Sequence, residues 1–393
     1  MDNAIPASAL HLRSEIDYEL DPKPLGTGGF SVVHRAWEPG LGRWVALKVI
    51  AISKVMREMG ISREEIEERH RTEIRACGRL RHDHIVEVYN YGRGEDRLWH
   101  AMTLLPGGSI LSRIRPASGK NPIPADPQHI IHWLEILIRV CRTVGFCHGQ
   151  GVLHRDLKHD NILFDEHDRP TVTDFGMARL GEPGEGDAPF AGGDQVYSAP
   201  ELLAGEAQDD RTDVYSLGCI CHFALTAREP FAYGDAWSAH HRDARVALKR
   251  AVRPDLRPGE LDDFHLPQEQ NPALREDLAR VVLRAMSGDP AQRHRQPRHL
   301  ADALQEQLDI ERTLHRVATQ EFIAERAAPL ITAFLRRDGA ELDEATLLGA
   351  GQPGVDDLAG FAEAAGKQAQ AGKHHPGGER QAERGAPGQV IDG

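Results

Sequence analysis

Strand-like alternation dominates the first part of the chain, and helical spacing takes over beyond it. After a weakly patterned lead over residues 1–17, LGTGGFSVV at 25–33 and WVALKVI at 44–50 read as β-branched strands around a Gly-rich turn. SREE at 62–65 fits a capping box, with Ser62 as N-cap and Glu65 reaching back. Beyond it Ile66, His70, Glu73, Ile74, Cys77 and Leu80 recur at three- and four-residue steps. Glu73 therefore lies on the inward stripe, whereas Glu64, Glu67 and Glu68 are placed for solvent. Strands are predicted over 86–91 and 98–104, a surface loop over 116–127 and a strongly apolar helix over 128–149. DVYSLG at 213–218 opens a helix that is apolar on most sides and so buried. Helical patterns continue to about residue 335, and 346–393, rich in Gly, Ala and Gln with few aromatics, reads as disordered. No internal repeat is evident.

Against this background a few polar residues stand out because the apolar pattern carries them inward. Lys48 sits on an apolar strand, where a lysine is expensive to bury. An inward Glu73 needs a cation, and Lys48 is the candidate. The Gly-rich turn can lay backbone N–H groups against phosphates, because glycine permits close approach and positive φ. The stretch 152–176, VLHRDLKHDNILFDEHDRPTVTDFG, holds a His-Arg-Asp run, Lys158 two residues past Asp156, Asn161 three further on, and Asp174 thirteen beyond that. Two carboxylates, an ammonium and an amide on apolar anchors can hold a metal-bound nucleotide and a hydroxyl together. That is the equipment of phosphoryl transfer, where positioning and charge neutralisation supply most of the catalysis.

The same residues, in this order, resemble the eukaryotic-type serine/threonine protein kinases over about residues 18–308. The resemblance is carried by the Gly loop, Lys48, Glu73, the His154 run, Asp174-Phe-Gly, Ala199-Pro-Glu, Asp213 and Arg293. It implies an α+β, bilobal protein-kinase-like fold. A small β-rich N-lobe (about 18–103) would carry one regulatory helix, and a larger, mostly helical C-lobe (about 107–308) would follow. Residues 309–345 would form a helical extension ahead of the tail.

The implied roles are specific. Asp156 would orient the substrate hydroxyl and accept its proton. Lys158 would neutralise the transferred group, and a lysine there resembles the serine/threonine class. Lys48, fixed by Glu73, would hold the α- and β-phosphates of ATP. Asn161 and Asp174 offer hard oxygen ligands that suit Mg²⁺ held jointly with nucleotide phosphates. Leu25, Gly26, Thr27, Gly28, Gly29, Phe30 and Ser31 would form the nucleotide loop. Val33, Ala46 and Leu163 would sandwich the adenine, with Met102 guarding the back of the pocket and the backbone of Thr103 and Leu105 hydrogen-bonding the base. Cys77, Val88, His154 and Phe175 would stack as an internal spine, and Arg293 would pair with Glu201.

Two departures from the family pattern matter. Ser31 stands where the loop usually has its third glycine, and Asp194 stands where a threonine usually lies seven residues before the Glu of Ala-Pro-Glu. Between Gly176 and Ala199 the hydroxyls are Tyr197 and Ser198 alone. Activation by loop phosphorylation, which would give Arg155 a phosphate to grip, has no obvious acceptor. One of Glu182, Glu185, Asp187 and Asp194, with Glu185 and Asp187 foremost, is expected to pair with Arg155 instead. Asp194 beside Asp156 would set like charges together unless Lys158 lies between them.

Composition narrows the setting. The 393 residues are 40% hydrophobic and 27% charged, ordinary for a globular protein. No apolar run approaches the roughly eighteen residues of a membrane span, and the N-terminus lacks the pattern of a signal peptide. The five cysteines form no C-x-x-C pair, and Cys141 and Cys147 beside His148 read as small buried hydrophobes rather than metal ligands. A net charge of −13 disfavours nucleic acid as a partner. The expectation is a cytoplasmic enzyme with protein substrates, no membrane or nucleic-acid partner, and room for a cytosolic regulator acting through the C-terminal extension. A conformational scaffold that binds ATP without transfer is the alternative. A small-molecule phosphotransferase is disfavoured by His154-Arg-Asp156 and by the Ala-Pro-Glu segment.

Overall fold

A computed structural model describes residues 18–28, 31–115, 127–180, 195–231 and 242–322. Its first part is an antiparallel sheet built from β1 (Glu19–Thr27), β2 (Ser31–Glu38), β3 (Arg43–Ala51), β4 (Val88–Arg93) and β5 (Arg97–Met102). The strand order is β1-β2-β3-β5-β4, which makes β3 central. Strand alternation decides what β3 presents to each side. Val45, Leu47 and Val49 pack with Ala36, Trp99 and Ala101 in a closed apolar cluster. Ala46 and Lys48 consequently point to the opposite face.

Two helices separate β3 from β4. The first, α1 (Ile52–Met59), has no counterpart in the sequence reading and starts on Ala51, which offers no side-chain cap. It is held instead by burial of Ile52 and Val55 against Ile66 and Leu98. The second, α2 (Arg63–Arg79), begins as predicted, with Ser62 Oγ accepting from Glu65 N–H at 3.2 Å. The reciprocal half differs from expectation. Glu65 is taken by Arg69 one turn on, at 2.7 Å, the pairing that helical spacing favours. The strands expected at 86–91 and 98–104 are each shifted, to Val88–Arg93 and Arg97–Met102.

The larger part is mostly helical. It contains α3 (Ile110–Ile114), α4 (Pro127–Gly149), α5 (Pro200–Ala204), α6 (Asp210–Thr226), α7 (Arg242–Arg250), α8 (Pro267–Gln270), α9 (Glu276–Ala285) and α10 (Pro297–Phe322). Short strands β6 (Val152–Leu153), β7 (Ile162–Phe164), β8 (Pro170–Val172) and β9 (Arg179–Leu180) pair as β6-β9 and β7-β8 at the edge that faces the sheet. Helix α6 is buried at every position from Thr212 to Thr226, which explains an apolar pattern with little directionality. It opens on Asp209, whose Oδ1 accepts from Arg211 N–H at 2.9 Å, so Asp213 lies in the first turn rather than at the start.

The chain divides into two compact units, residues 1–317 and 318–393, and of the second only the end of α10 is described. No helix among the described residues is long and apolar enough to cross a membrane. The five cysteines are free and buried, as read from the sequence.

Candidate active site

The site lies where the sheet meets the short strands of the larger lobe. Lys48 Nζ donates to Glu73 Oε1 at 2.7 Å and to Asp174 Oδ1 at 2.8 Å. One ammonium thus links β3, α2 and the Asp174-Phe-Gly turn. Burial alone would drive Lys48 towards its neutral form, but the Asp174 and Glu73 carboxylates outweigh it and hold the ammonium charged well above its ordinary range. Asp174 moves the other way. Burial acts to raise it, and Lys48 overcomes that to keep it ionised below the usual carboxylate range. Gly176 makes this approach possible, since a Cβ there would lie 3.2 Å from Asp174 Oδ1 and 3.4 Å from Glu73 Oε2.

A second pair backs the first. His100 on β5 is the register partner of Lys48. Its Nδ1 lies 3.2 Å from His70 Nε2, and its Nε2 lies 3.7 Å from Glu73 Oε1. Helix α2 therefore grips His100 with two residues one turn apart. One tautomer pattern suits all three groups: His70 Nε2–H donates to His100 Nδ1, which turns the His100 Nε2–H towards the carboxylate. The reverse would aim a ring lone pair at Glu73. Sequence reasoning placed His70 on the inward stripe and gave it no partner; the cross-strand register that supplies His100 is not written in either local pattern.

The stretch from His154 to Asn161, the expected catalytic loop, is ordered from beneath. Asp213 is fully buried, and it accepts from the backbone N–H of His154 (Oδ2, 2.8 Å) and of Arg155 (Oδ1, 2.8 Å). The ring of His148 meets Oδ2 at 2.7 Å. Although burial works to raise it, these contacts keep Asp213 below the usual carboxylate range. Arg155 and Asp174 both adopt positive φ, 69° and 64°, a backbone state that costs non-glycine residues energy and that surrounding bonds must enforce. His154 Nε2 lies 3.0 Å from Thr173 O, and its ring stacks at 4.6 Å from Phe175. Cys77 and Phe175 share one apolar cluster with Val88 packed against it, and His154 meets that cluster through the Phe175 ring.

Asp156, Lys158 and Asn161 converge as the spacing suggested. Asn161 Nδ2 donates to Asp156 O at 2.7 Å and to Asp156 Oδ2 at 3.3 Å, while Lys158 Nζ is 3.5 Å from the same Oδ2. Burial raises Asp156 above its ordinary value despite the pull of Lys158. Asn161 turns its amide nitrogen to Asp156, so these bonds do not use its side-chain oxygen. Among the described residues no three His, Cys, Asp or Glu side chains gather in a way that could hold a metal ion. An ion at Asn161 and Asp174 would take its remaining ligands from phosphates and water, the usual arrangement for Mg²⁺ with a nucleotide.

The expected nucleotide walls are distributed along the strand edges. Gly26 pairs with Val33 and Thr27 with Val32, and Gly28 N–H closes the turn on Ser31 O at 2.8 Å. Leu25 is 54% exposed at the mouth. Ala46 is the register partner of Met102, Val33 of Lys48, and Leu163 bridges to Ser109 beyond the linker. Thr103 N–H is already given to Glu87 O at 3.0 Å, so any part it plays towards a base falls to its carbonyl. Gly29 and Phe30 lie outside the described residues, as do Glu182, Glu185, Asp187 and Asp194, the expected partners of Arg155. A cavity of about 600 Å³ lined by His148, Arg179, Asp209, Arg211, Arg293 and Gln296 lies behind the catalytic loop and is separate from the cleft over Lys48.

The segment after Asp194 is anchored from below. Arg293 reaches Glu201 through two bonds, Nη1 to Oε1 at 2.7 Å and Nη2 to Oε2 at 2.8 Å, as the sequence suggested. Unforeseen is a cluster around Glu229, which accepts from Tyr197 Oη at 2.7 Å and meets His159 Nε2 at 3.1 Å. It ties the segment to the turn that carries Lys158 and Asn161.

A family model described as protein kinase domain matches residues 20–307. The chain is 31% identical over 278 residues to serine/threonine-protein kinase PknJ of Mycobacterium tuberculosis, covering 68% of this chain and 42% of that protein. It is 31% identical over 294 residues to PknK of the same species (73% and 23%) and 32% identical over 275 residues to PknB of Mycobacterium leprae (69% and 40%), both serine/threonine-protein kinases. The match thus spans less than half the length of these curated relatives.

Proposed function

The chain belongs to the protein kinase domain family, and from that membership we propose that it transfers the γ-phosphoryl group of ATP to serine or threonine hydroxyls of protein substrates. The observation that carries the reading is the Lys48 ammonium shared by Glu73 at 2.7 Å and Asp174 at 2.8 Å, with Asp174 in turn close enough to feel the charge of Lys158, 3.5 Å from Asp156. ATP with Mg²⁺ supplies the transferable group and offsets the charge that gathers on it. Lys48 holds phosphate oxygens, with Glu73 fixing its direction. Asp174 and Asn161 present oxygen to the cation. Asp156 orients the acceptor hydroxyl and takes its proton. Its Oδ2 is engaged by Asn161 and Lys158, which leaves Oδ1 for that task. A carboxyl raised by burial is better matched to holding a proton than a solvated one. Lys158 places positive charge beside the group in flight.

The nucleotide site comprises residues 25–31 with Val33, Ala46, Met102, Leu163 and the backbone of Thr103 and Leu105, within a kinase domain of about residues 18–308. The C-terminal extension is the proposed point of access for a regulator. Transfer from radiolabelled ATP to an arrayed serine/threonine peptide library tests the reading, with Asp156→Asn and Lys48→Met as controls. Transfer by the wild type, lost in both variants, is expected. Nucleotide binding without transfer by the wild type would replace the enzyme with a scaffold.

A further inference from the structure

The segment 196–198 is buried and tied to the turn that follows Lys158. The Tyr197 ring packs 4.9 Å from His159, and its hydroxyl donates to Glu229, which also contacts His159. His159 is adjacent to Lys158, so the segment is linked through Tyr197 and Glu229 to the turn that flanks Asp156. Its side chains are buried, and its three carbonyls are each captured by a side chain from below. Ser216 Oγ on α6 donates to Tyr197 O at 2.9 Å. The two flanking carbonyls are taken by one residue: Lys249 Nζ donates to Val196 O at 2.6 Å and to Ser198 O at 2.7 Å.

Lys249 is an improbable residue for that place. It is the penultimate residue of α7, in a run, RDARVALKR, that reads as a solvated helix face, yet its side chain is fully buried. Its ammonium lies 5.0 Å from the centre of the Tyr215 ring and 5.1 Å from that of Phe231, faces that attract a cation. The helix end that carries it is fixed in turn. Gly288 N–H donates to Val252 O at 2.8 Å, and a Cβ on Gly288 would come within 2.3 Å of the Arg250 backbone, so only glycine permits this docking. An ammonium spanning two carbonyls two residues apart fixes the backbone between them much as a covalent brace would.

We propose that Lys249 is a positioning residue that holds segment 196–198, and through Tyr197, Glu229 and His159 the turn beside Asp156 and Lys158, in its working conformation, so that this arrangement needs no phosphate on the preceding loop to order it. The role rests on the kinase reading given above. Lys249 touches neither nucleotide nor acceptor and acts through the segment's backbone. Its loss should therefore be felt by the peptide and not by ATP.

The test measures initial rates for wild type, Lys249→Met, Lys249→Arg and the surface control Arg250→Ala in the full chain. The acceptor is a peptide selected on wild type from an arrayed serine/threonine library, and fluorescent-ADP affinity is measured alongside. The expected result is a peptide KM raised at least tenfold in Lys249→Met, with ATP KM and nucleotide affinity within twofold of wild type. Lys249→Arg should recover part of the loss, and Arg250→Ala should behave as wild type. An unchanged peptide KM overturns the proposal, as does a parallel loss of nucleotide affinity, which would mark a general structural role. Ser216→Ala, which removes the donor to the middle carbonyl, decides the matter if Lys249→Met does not fold: a threefold or larger rise in peptide KM supports the brace, and no rise overturns it. A wild type that transfers to no peptide would refute the kinase reading instead.

Discussion

His70 on α2 and His100 on β5 face each other at 3.2 Å, Nε2 to Nδ1, directly behind the Lys48–Glu73 pair. Burial pushes both imidazoles down, His70 to about 4 and His100 to about 3, with the Lys48 charge adding to it in both and His100 adding to it at His70. The folded protein therefore keeps them neutral where the unfolded chain, titrating near the ordinary 6.5, already binds protons. Stability falls as pH drops below that ordinary value and levels off only once the folded histidines also protonate. Each histidine contributes at most about 1.4 kcal/mol per pH unit in this window. Thermal unfolding from pH 7.5 to 4.5 should show a shallower pH slope in the His70→Gln/His100→Gln variant than in wild type. Equal slopes would remove the pair from the account.

Gly176 sits beside both Asp174 and the Glu73 carboxylate of α2. Gly176→Ala places a methyl 3.2 Å from Asp174 Oδ1 and 3.4 Å from Glu73 Oε2, so the Asp174 carboxylate must give by a few tenths of an ångström beside Lys48. The expected outcome is a fall in kcat on the order of tenfold or more, since charge placement supplies most of the catalysis. The stability cost should be about 1–3 kcal/mol, the usual range for overpacking. Steady-state rates and denaturant melts on the same preparation check both halves.

The Arg293–Glu201 pair is buried, with side chains 0% and 7% exposed. Arg293→Met leaves a carboxylate in the interior with Thr212 Oγ1 as a remaining donor at 3.1 Å. A loss of about 3–5 kcal/mol is expected, because removing one member of a buried pair strands the other. Arg293→Met/Glu201→Leu should recover a large share of that loss in urea denaturation, and a double variant as unstable as the single one would contradict the ion-pair explanation.

The stretch between Gly176 and Ala199 contains Tyr197 and Ser198 as its hydroxyls. Both are buried, at 1% and 4% exposure. Phosphatase treatment of active protein is expected to leave its activity within twofold, with mass spectrometry finding no phosphate between residues 177 and 198. Activity that disappears with a phosphate from that stretch would falsify the idea.

Much of the site was legible because its polar residues interrupt strong apolar patterns. Lys48 on a buried strand and Glu73 on an inward stripe each demanded a partner, and 2.7 Å separates them. Arg293 and Glu201 were paired through family likeness, and the geometry agrees. The unread parts depend on tertiary placement. His100 acquires its partners from strand register and from a helix 30 positions away in the chain. Lys249 sits among charged neighbours, and what buries it are residues from about 20 to 50 positions distant, among them Phe231 and Val196. Helix α1 was missed because nothing caps its start and its eight residues are too few for periodicity to declare itself.

The connection between α2 and β4 has a mechanical consequence. Val86 N–H donates to Val172 O at 3.0 Å, and Val172 N–H donates to His84 O at 2.8 Å. These bonds attach the stretch 84–86 to β8, so although it lies within the sheet's half of the sequence, it travels with the helical half. Any opening of the cleft must then flex the chain on both sides of the nucleotide, near residue 81 and at the 103–107 linker.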